Sequence, residues 1–282
     1  MISYADLWQR LTPLYDEGES KAIVRWVLDE GFGLSMSNVL CGALQMLSDE
    51  DQQRLETMMH RLEQAEPVQY VLGVAEFGGR QFRVAPGVLI PRPETAELCH
   101  IIGEGGRRDE KGNCHILDIG TGSGCIAITL ALDIPGSEVT AWDISEDALE
   151  IASRNADALG AKVRFEKQDA LNISPFAYSW DIIVSNPPYI DEALERGAMA
   201  RNVLEYEPHE ALFGPSEAPD LFYRRIGEYA LQSLRPGGLL FFELNPLMAA
   251  SVNDYLLSLG FHHLEIRRDQ FGKQRFLKAM KI

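Results

Sequence analysis

His115-Ile116-Leu117-Asp118-Ile119-Gly120-Thr121-Gly122-Ser123-Gly124 runs an apolar strand straight into three alternating glycines. The residues that follow, Cys125 to about Asp133, are apolar and predict a helix. Glycine lets the backbone approach a ligand without a Cβ clash, and a helix start offers unpaired N–H groups. The turn has the spacing GxGxG, not the GxGxxG of dinucleotide sites. An acid, Asp118, also stands just before it. A carboxylate there suits a cationic amino-acid group better than a pyrophosphate.

Working outward towards the C-terminus, the alternation continues. A strand over 138–142 ends at Asp143 and is followed by a helix over 145–159. A strand over 163–166 ends near Asp169-Ala170, and Asp181-Ile182-Ile183-Val184-Ser185 forms the next. A helix over 221–234, closed by Pro236-Gly237-Gly238, precedes a strand over 239–243. A helix over 248–259 and an antiparallel hairpin, 263–267 with 275–280, complete the chain. Alternating strands and helices predict an α/β, Rossmann-like, doubly wound sheet, mostly parallel with a C-terminal antiparallel hairpin.

Towards the N-terminus the period changes. Leu7, Trp8, Leu11 and Leu14, then Ile23, Val24, Val27 and Leu28, recur at helical steps, with Gly31 or Gly33 as a stop. Ser48-Asp49-Glu50-Asp51 reads as an N-cap with an acidic first turn, leading through Leu55, Met58, Met59 and Leu62. Residues 1–66 are therefore expected to form a small helical domain. A linker over 67–94 contains a hairpin around Gly78-Gly79, and 95–282 forms the main domain. Pro91-Arg92-Pro93 stiffens the segment that carries Arg92, making it a candidate substrate contact. Residues 103–112 read as a flexible loop.

Composition limits the function. The 282 residues carry 46% hydrophobic and 24% charged side chains, as in ordinary globular proteins. A formal net charge of -16 argues against a surface built to grip nucleic-acid backbones. The N-terminal segment is acidic in balance too, so no direct DNA binding is expected. Four scattered cysteines show neither CxxC nor Cys/His spacing, so no metal site is predicted. There is no run of membrane-spanning length and no basic-then-apolar leader, which together point to the cytoplasm and to no membrane partner.

Ser185-Asn186-Pro187-Pro188-Tyr189 lies at the carboxyl end of a strand, where open α/β sheets bind ligands. The two prolines end the strand in a rigid extended turn. Asp143, one strand along, is placed to accept from ribose hydroxyls, and Asp169 from an exocyclic amine. Together with Gly120, Thr121, Gly122, Ser123 and Gly124, this pattern suits S-adenosylmethionine, whose methyl is an electrophile. The Asn186 side-chain oxygen and the Pro187 carbonyl can then accept both hydrogens of a planar –NH₂ group, while Tyr189 covers its face. Two rivals use the same parts: a methyltransferase acting on an amine of DNA or RNA, and a binding module that has lost catalysis.

The chain resembles the HemK/PrmC family of protein-(glutamine-N5) methyltransferases. The likeness rests on Gln69 to Gly73, Phe77-Gly78-Gly79, Val88 to Thr95, Leu117 to Gly124, Val184 to Ile190, Tyr206-Glu207-Pro208 and Ala211-Leu212. Of these, Ile90-Pro91-Arg92-Pro93-Glu94-Thr95 is the most specific. The resemblance implies that Gly120–Gly124, Asp143 and Ala170 contact S-adenosylmethionine. It further implies that Asn186, Pro187, Pro188 and Tyr189 hold the glutamine of a Gly-Gly-Gln motif in class-1 peptide chain release factors. The helical N-terminal domain would help to engage the factor, and the activity would support translation termination. Two positions depart from the family: Ala96 stands where Glu commonly follows the threonine, and Ala170 where many relatives have Trp.

Overall fold

The computed structural model describes residues 3–105, 113–175 and 179–282. Most of the loop expected over 103–112 lies outside them, while Gly103 to Gly105 continue a helix. The chain divides into two compact units: residues 1–74 with 199–206, and residues 75–198 with 207–282. The stretch expected as a 67–94 linker is therefore shared, its first turn of helix in one unit and its hairpin in the other.

The first unit is helical: α1 (Tyr4–Gln9), α2 (Glu17–Phe32), α3 (Met36–Leu40), α4 (Asp49–Glu63) and α5 (Val68–Leu72). Ser48 caps α4 by accepting from the Asp51 N–H, with Asp49, Glu50 and Asp51 in its first turn. Gly33 closes α2 in the left-handed conformation. Leu7, Leu11, Val24, Val27, Leu28, Leu55, Met59 and Leu62 fill the core, each fully or almost fully removed from water. Burial of side chains this size stabilises by about 1.5–3 kcal/mol each before ordering costs. The Arg10 guanidinium joins α1 to α4 through Glu56 and Glu63 at 2.7 and 2.6 Å.

In the second unit β1 (Val74–Phe77) begins at the unit boundary and pairs with β2 (Arg80–Arg83) in a two-stranded hairpin. After α6 (Pro93–Gly105) come β3 (Cys114–Ile119), α7 (Cys125–Asp133), β4 (Ser137–Asp143), α8 (Glu146–Leu159), β5 (Val163–Lys167) and β6 (Trp180–Ser185). Three short helices come after β6, α9 (Glu192–Glu195), α10 (Arg201–Tyr206) of the first unit and α11 (His209–Leu212), then the longer α12 (Leu221–Ser233). The chain ends with β7 (Leu234–Glu243), α13 (Ala249–Leu259), β8 (His262–Arg268) and β9 (Gln274–Met280).

The seven-stranded sheet has the order β5-β4-β3-β6-β7-β9-β8, parallel except at β9, which runs against both β7 and β8. Alternate residues serve opposite faces. Ile116, Ile182, Val184 and Phe241 pack beneath α6, α7 and α8. Leu117, Ile183, Leu240 and Phe242 pack against α12 and α13. The doubly wound α/β fold read from the sequence is thus the fold observed. One boundary differs: β7 starts at Leu234, before Pro236-Gly237-Gly238. Leu234 pairs with Trp180 ahead of an irregularity in the ladder, and the glycines bond to Lys281 instead of ending the preceding helix.

Gly124 shows why the glycine turn is built as it is. Its φ is +83°, and a Cβ there would sit 2.9 Å from Ile128 Cδ1 and 3.0 Å from Ala152 Cβ. The missing side chain lets α7 and α8 close up beneath the turn. Gly124→Val is expected to lower unfolding stability by about 2–4 kcal/mol, read as a fall in the urea midpoint at constant slope. An unchanged midpoint would show that the packing adjusts freely.

Candidate functional site

The strand order reverses between β3 and β6, and such switch points bind ligands at the carboxyl ends of the strands. Ile119 pairs with Ser185 on one side and Trp142 on the other, and Asp143 pairs with Lys167. The glycine turn, Asp143, Asp169 and Asn186 therefore leave four adjacent strands at the same end. The Ser185 hydroxyl donates to the Ile119 carbonyl at 2.7 Å, tying the two central strand ends together.

Gly120 and Thr121 both donate their N–H groups to the Trp142 carbonyl at 2.9 Å. Gly122 donates to Asp143 Oδ2 at 2.8 Å, and Ser145 to its Oδ1 at 3.0 Å. Asp143 thus shapes the turn while keeping lone pairs for a ligand. Space is open around the Cβ positions of Gly120 and Gly122, both at positive φ, so the backbone offers a bare cradle. Asn155 of α8, almost fully buried, donates to the carbonyls of Ser123 and Arg83 and accepts from the Arg83 N–H. The turn is clamped from below by a side chain that sequence reasoning missed.

Asp118 is fully buried. Its Oδ2 accepts from the Thr121 hydroxyl at 2.7 Å and the Ala127 N–H at 3.2 Å, but among the described residues Oδ1 has no partner. Burial pushes its carboxyl up to about 7, against the opposing pull of those two hydrogen bonds. A buried carboxylate oxygen left unpaired is expensive unless a cation completes it.

Asp169 accepts from the Leu171 N–H at 2.9 Å and Asn172 Nδ2 at 2.5 Å, which caps the turn after β5. Ala170 packs with Ile173 against the apolar layer beneath α12. A groove of about 730 Å³ opens at the amino-terminal ends of β4 and β5 and holds none of these residues. Concavity alone therefore does not locate the site.

Asn186 follows β6, and its Nδ2 donates to Thr95 Oγ1 of α6 at 3.2 Å. The Thr95 hydroxyl donates to Glu243 Oε2 at 2.6 Å, and the Tyr189 hydroxyl to Glu243 Oε1 at 3.0 Å. Among the described residues neither Asn186 Oδ1 nor the Pro187 carbonyl accepts a hydrogen bond. Pro187 is buried, while Pro188 and Tyr189 are half-buried. Burial raises the Tyr189 phenol, with Glu243 reinforcing it, so the hydroxyl keeps its proton. The Glu243 carboxyl is raised by burial too, opposed by the hydrogen bonds from Thr95 and Tyr189.

Thr95 and Glu243 are functional candidates that the sequence reading did not select. The signal for Glu243 was present: it is a carboxylate closing the apolar run Leu239 to Phe242, as Asp143 closes β4.

Arg92, the candidate substrate contact, also has an internal partner. Its Nη2 donates to Glu207 Oε1 at 2.5 Å, and the Ile90 N–H donates to Oε2 at 3.2 Å. The Glu207 side chain is 1% exposed, so the guanidinium compensates a buried charge. Arg92→Ala is expected to cost about 1–3 kcal/mol of unfolding stability. Chemical denaturation of the purified variant checks this, and wild-type stability would make Arg92 free for a contact elsewhere.

Comparison with known proteins follows the two units. Residues 9–73 match the family profile described as PrmC N-terminal domain, and residues 108–210 match the Methyltransferase small domain. A protein of Bacteroides thetaiotaomicron named release factor glutamine methyltransferase is 44% identical over 96% of this chain and 96% of its own. One of the same name from Chlorobaculum tepidum is 45% identical over 77% of this chain and 75% of its own. Among solved structures, a methyltransferase from Pyrococcus furiosus has a TM-score of 0.52 at 20% identity, covering 83% of this chain and 99% of its own. The 16S rRNA N2 G1207 methyltransferase of T. thermophilus, in complex with AdoMet and guanosine, also reaches 0.52, at 21% identity over 74% of this chain and 50% of its own. At such identities these two establish the class I methyltransferase fold and nothing finer.

Proposed function

Since the chain belongs to the release factor glutamine methyltransferases, we propose that it methylates the side-chain amide nitrogen (N5) of the glutamine in the Gly-Gly-Gln motif of class-1 peptide chain release factors. S-adenosylmethionine is the methyl donor, the cytoplasm the setting and translation termination the process served. No direct DNA contact is part of this reading.

The residues present fit that donor. Asp118, with a buried oxygen lacking a partner, would take its ammonium group, and the open cradle of Gly120, Thr121, Gly122, Ser123 and Gly124 its amino-acid backbone. Asp143 would accept from the ribose hydroxyls, and Asp169 with Ala170 would border the adenine. When bound, S-adenosylmethionine supplies an electrophilic methyl on a sulfonium.

The rest of the chemistry belongs to the loop after β6. An amide nitrogen is a poor nucleophile because its lone pair is shared with the carbonyl. Asn186 Oδ1 and the Pro187 carbonyl, two acceptors without internal partners, would hold both N–H bonds of the glutamine amide, leaving the nitrogen lone pair free of them. Pro188 keeps these acceptors rigid, and Tyr189 covers the face of the amide. Preorganised acceptors favour the pyramidal nitrogen that develops as the lone pair is used, and they fix its direction. No general base is needed, because the proton leaves to water from an already alkylated, acidic nitrogen. We place Arg92 at the margin of the same site, its guanidinium committed to Glu207.

The observation that carries this reading is the pair of unoccupied acceptors beside the glycine turn, in a chain matching relatives of that name along nearly its full length. Mass spectrometry of a release factor incubated with enzyme and isotope-labelled S-adenosylmethionine tests it. One labelled methyl on the Gly-Gly-Gln peptide is expected, and none when that glutamine is alanine. Label on nucleic acid with an unmodified factor would overturn the assignment.

A further inference from the structure

A carboxamide is nearly symmetric in shape, so packing alone does not decide which end of Asn186 faces the substrate. Hydrogen-bond polarity does. Glu243 is 2% exposed at the end of β7, and as a carboxylate it only accepts. Its Oε2 receives the Thr95 hydroxyl proton and its Oε1 the Tyr189 hydroxyl proton. Thr95 has one proton, and it is spent on Glu243. Towards Asn186, therefore, Thr95 Oγ1 can only accept, and the amide must turn its nitrogen to it. The reverse orientation would set Asn186 Oδ1 against an oxygen with no hydrogen to give.

We propose that Glu243 and Thr95 are positioning residues that fix the polarity of the Asn186 amide, so that Oδ1 and not Nδ2 is presented to the substrate. Glu243 fixes Tyr189 by the same device, from its other oxygen. One buried carboxylate thereby orients both the acceptor and the wall of the amide pocket. Glu243 is itself held in place. The Tyr223 hydroxyl donates to its carbonyl at 3.0 Å, and Asn245 Nδ2 reaches the Tyr189 carbonyl at 3.1 Å. This proposal rests on the reading that Asn186 accepts from a substrate N–H.

Four variants and one spectrum test it. Thr95→Val removes the hydroxyl at constant shape, while Thr95→Ser keeps it. Thr95→Val is expected to lower kcat by about 30-fold or more with cofactor affinity changed less than about threefold, and Thr95→Ser to stay within about threefold of wild type. Glu243→Gln, which offers an N–H in place of an acceptor, should lower kcat comparably. The part of its effect that runs through Thr95 should be lost when Thr95 is already Val, so the double variant falls short of the product of the two. What remains of the Glu243 effect is the loss of its bond to Tyr189. Independent effects that multiply in the double variant, or a Ser variant as poor as Val, would overturn the proposal. Thermal unfolding of each variant checks folding, and if Glu243→Gln does not fold the Val and Ser pair still decides.

The spectrum needs no substrate. In protein labelled with 15N-asparagine, the Asn186 side-chain NH₂ signal is identified by its loss in Asn186→Ala. The proton bonded to Thr95 should be protected from solvent exchange in wild type and in Thr95→Ser, and lose that protection in Thr95→Val. Equal protection in all three would overturn the orientation proposed. An enzyme with the expected spectrum but no methylation of release factors would instead sink the functional reading alone.

Discussion

Asn186→Ala is expected to lower turnover by about 10²–10³-fold while changing S-adenosylmethionine affinity less than about threefold. The asymmetry follows from where the side chain is engaged. Nδ2 is used inside the protein, on Thr95, and Oδ1 accepts from none of the described residues. Truncation removes an acceptor needed most when the substrate nitrogen pyramidalises, a transition-state interaction that appears in kcat. Little stability should be lost, since the residue is only half-buried. Single-turnover methylation of a release factor, alongside calorimetric titration of cofactor, separates the two quantities. Full turnover in the variant would remove Asn186 from the chemistry.

The second large effect is a trade between stability and binding at Asp118. Its carboxyl sits at about 7 in the folded protein against an ordinary 3.8. Below the ordinary value both folded and unfolded chains are protonated there, and the group is neutral in its effect. As pH rises from about 4 to about 7 the unfolded chain ionises first, and folding loses stability. Above the folded value the loss is complete, roughly 4 kcal/mol for the unliganded protein. Asp118→Asn removes that penalty, keeps an acceptor for Thr121 and Ala127, and abolishes the negative charge. It is expected to raise the unfolding temperature of the unliganded protein at pH 8 but not at pH 4, and to weaken cofactor binding by about 10²-fold or more. Unfolding scans at the two pH values check the first part and calorimetry the second. A variant that binds cofactor like wild type would relieve Asp118 of its proposed ligand.

Most of the second unit was legible because its strands and helices declare themselves locally. The runs 115–119 and 181–185 are built around Ile116-Leu117 and Ile182-Ile183-Val184, unbroken apolar pairs and triplets that suit strands buried on both faces. Asp143 and Asn186 were found because each stands at the end of a strand, and Asp118 because it precedes the glycine turn. What stayed hidden depends on distant partners. Arg92 looked like a stiffened free cation because its counter-charge, Glu207, lies far along the sequence. Thr95 was visible as part of a motif, but its link to Glu243 spans 148 residues. Asn155 gave no signal at all, being one polar residue on a helix whose exposed side is polar anyway. Local turn chemistry also misled at Pro236-Gly237-Gly238, where pairing with neighbouring chain overrode it.

The loop after the amide-holding turn closes on itself. Ile190 bridges Phe213, the Ile190 N–H donates to the Leu212 carbonyl at 3.0 Å, and the Gly214 N–H donates back to Ile190 at 3.2 Å. Gly214 is indispensable to the clasp, as a Cβ there would meet the Pro219 carbonyl at 2.6 Å. Residues 191–212 thus form an excursion with a fixed base, beginning two residues after Tyr189. In evolutionary terms the base divides the chain into a part that must be kept and a part that can drift. Away from Glu207, whose buried charge Arg92 answers, changes of length or sequence inside the excursion cost little closure entropy and need not move Asn186. Such a lineage can alter what it recognises without rebuilding how it reacts.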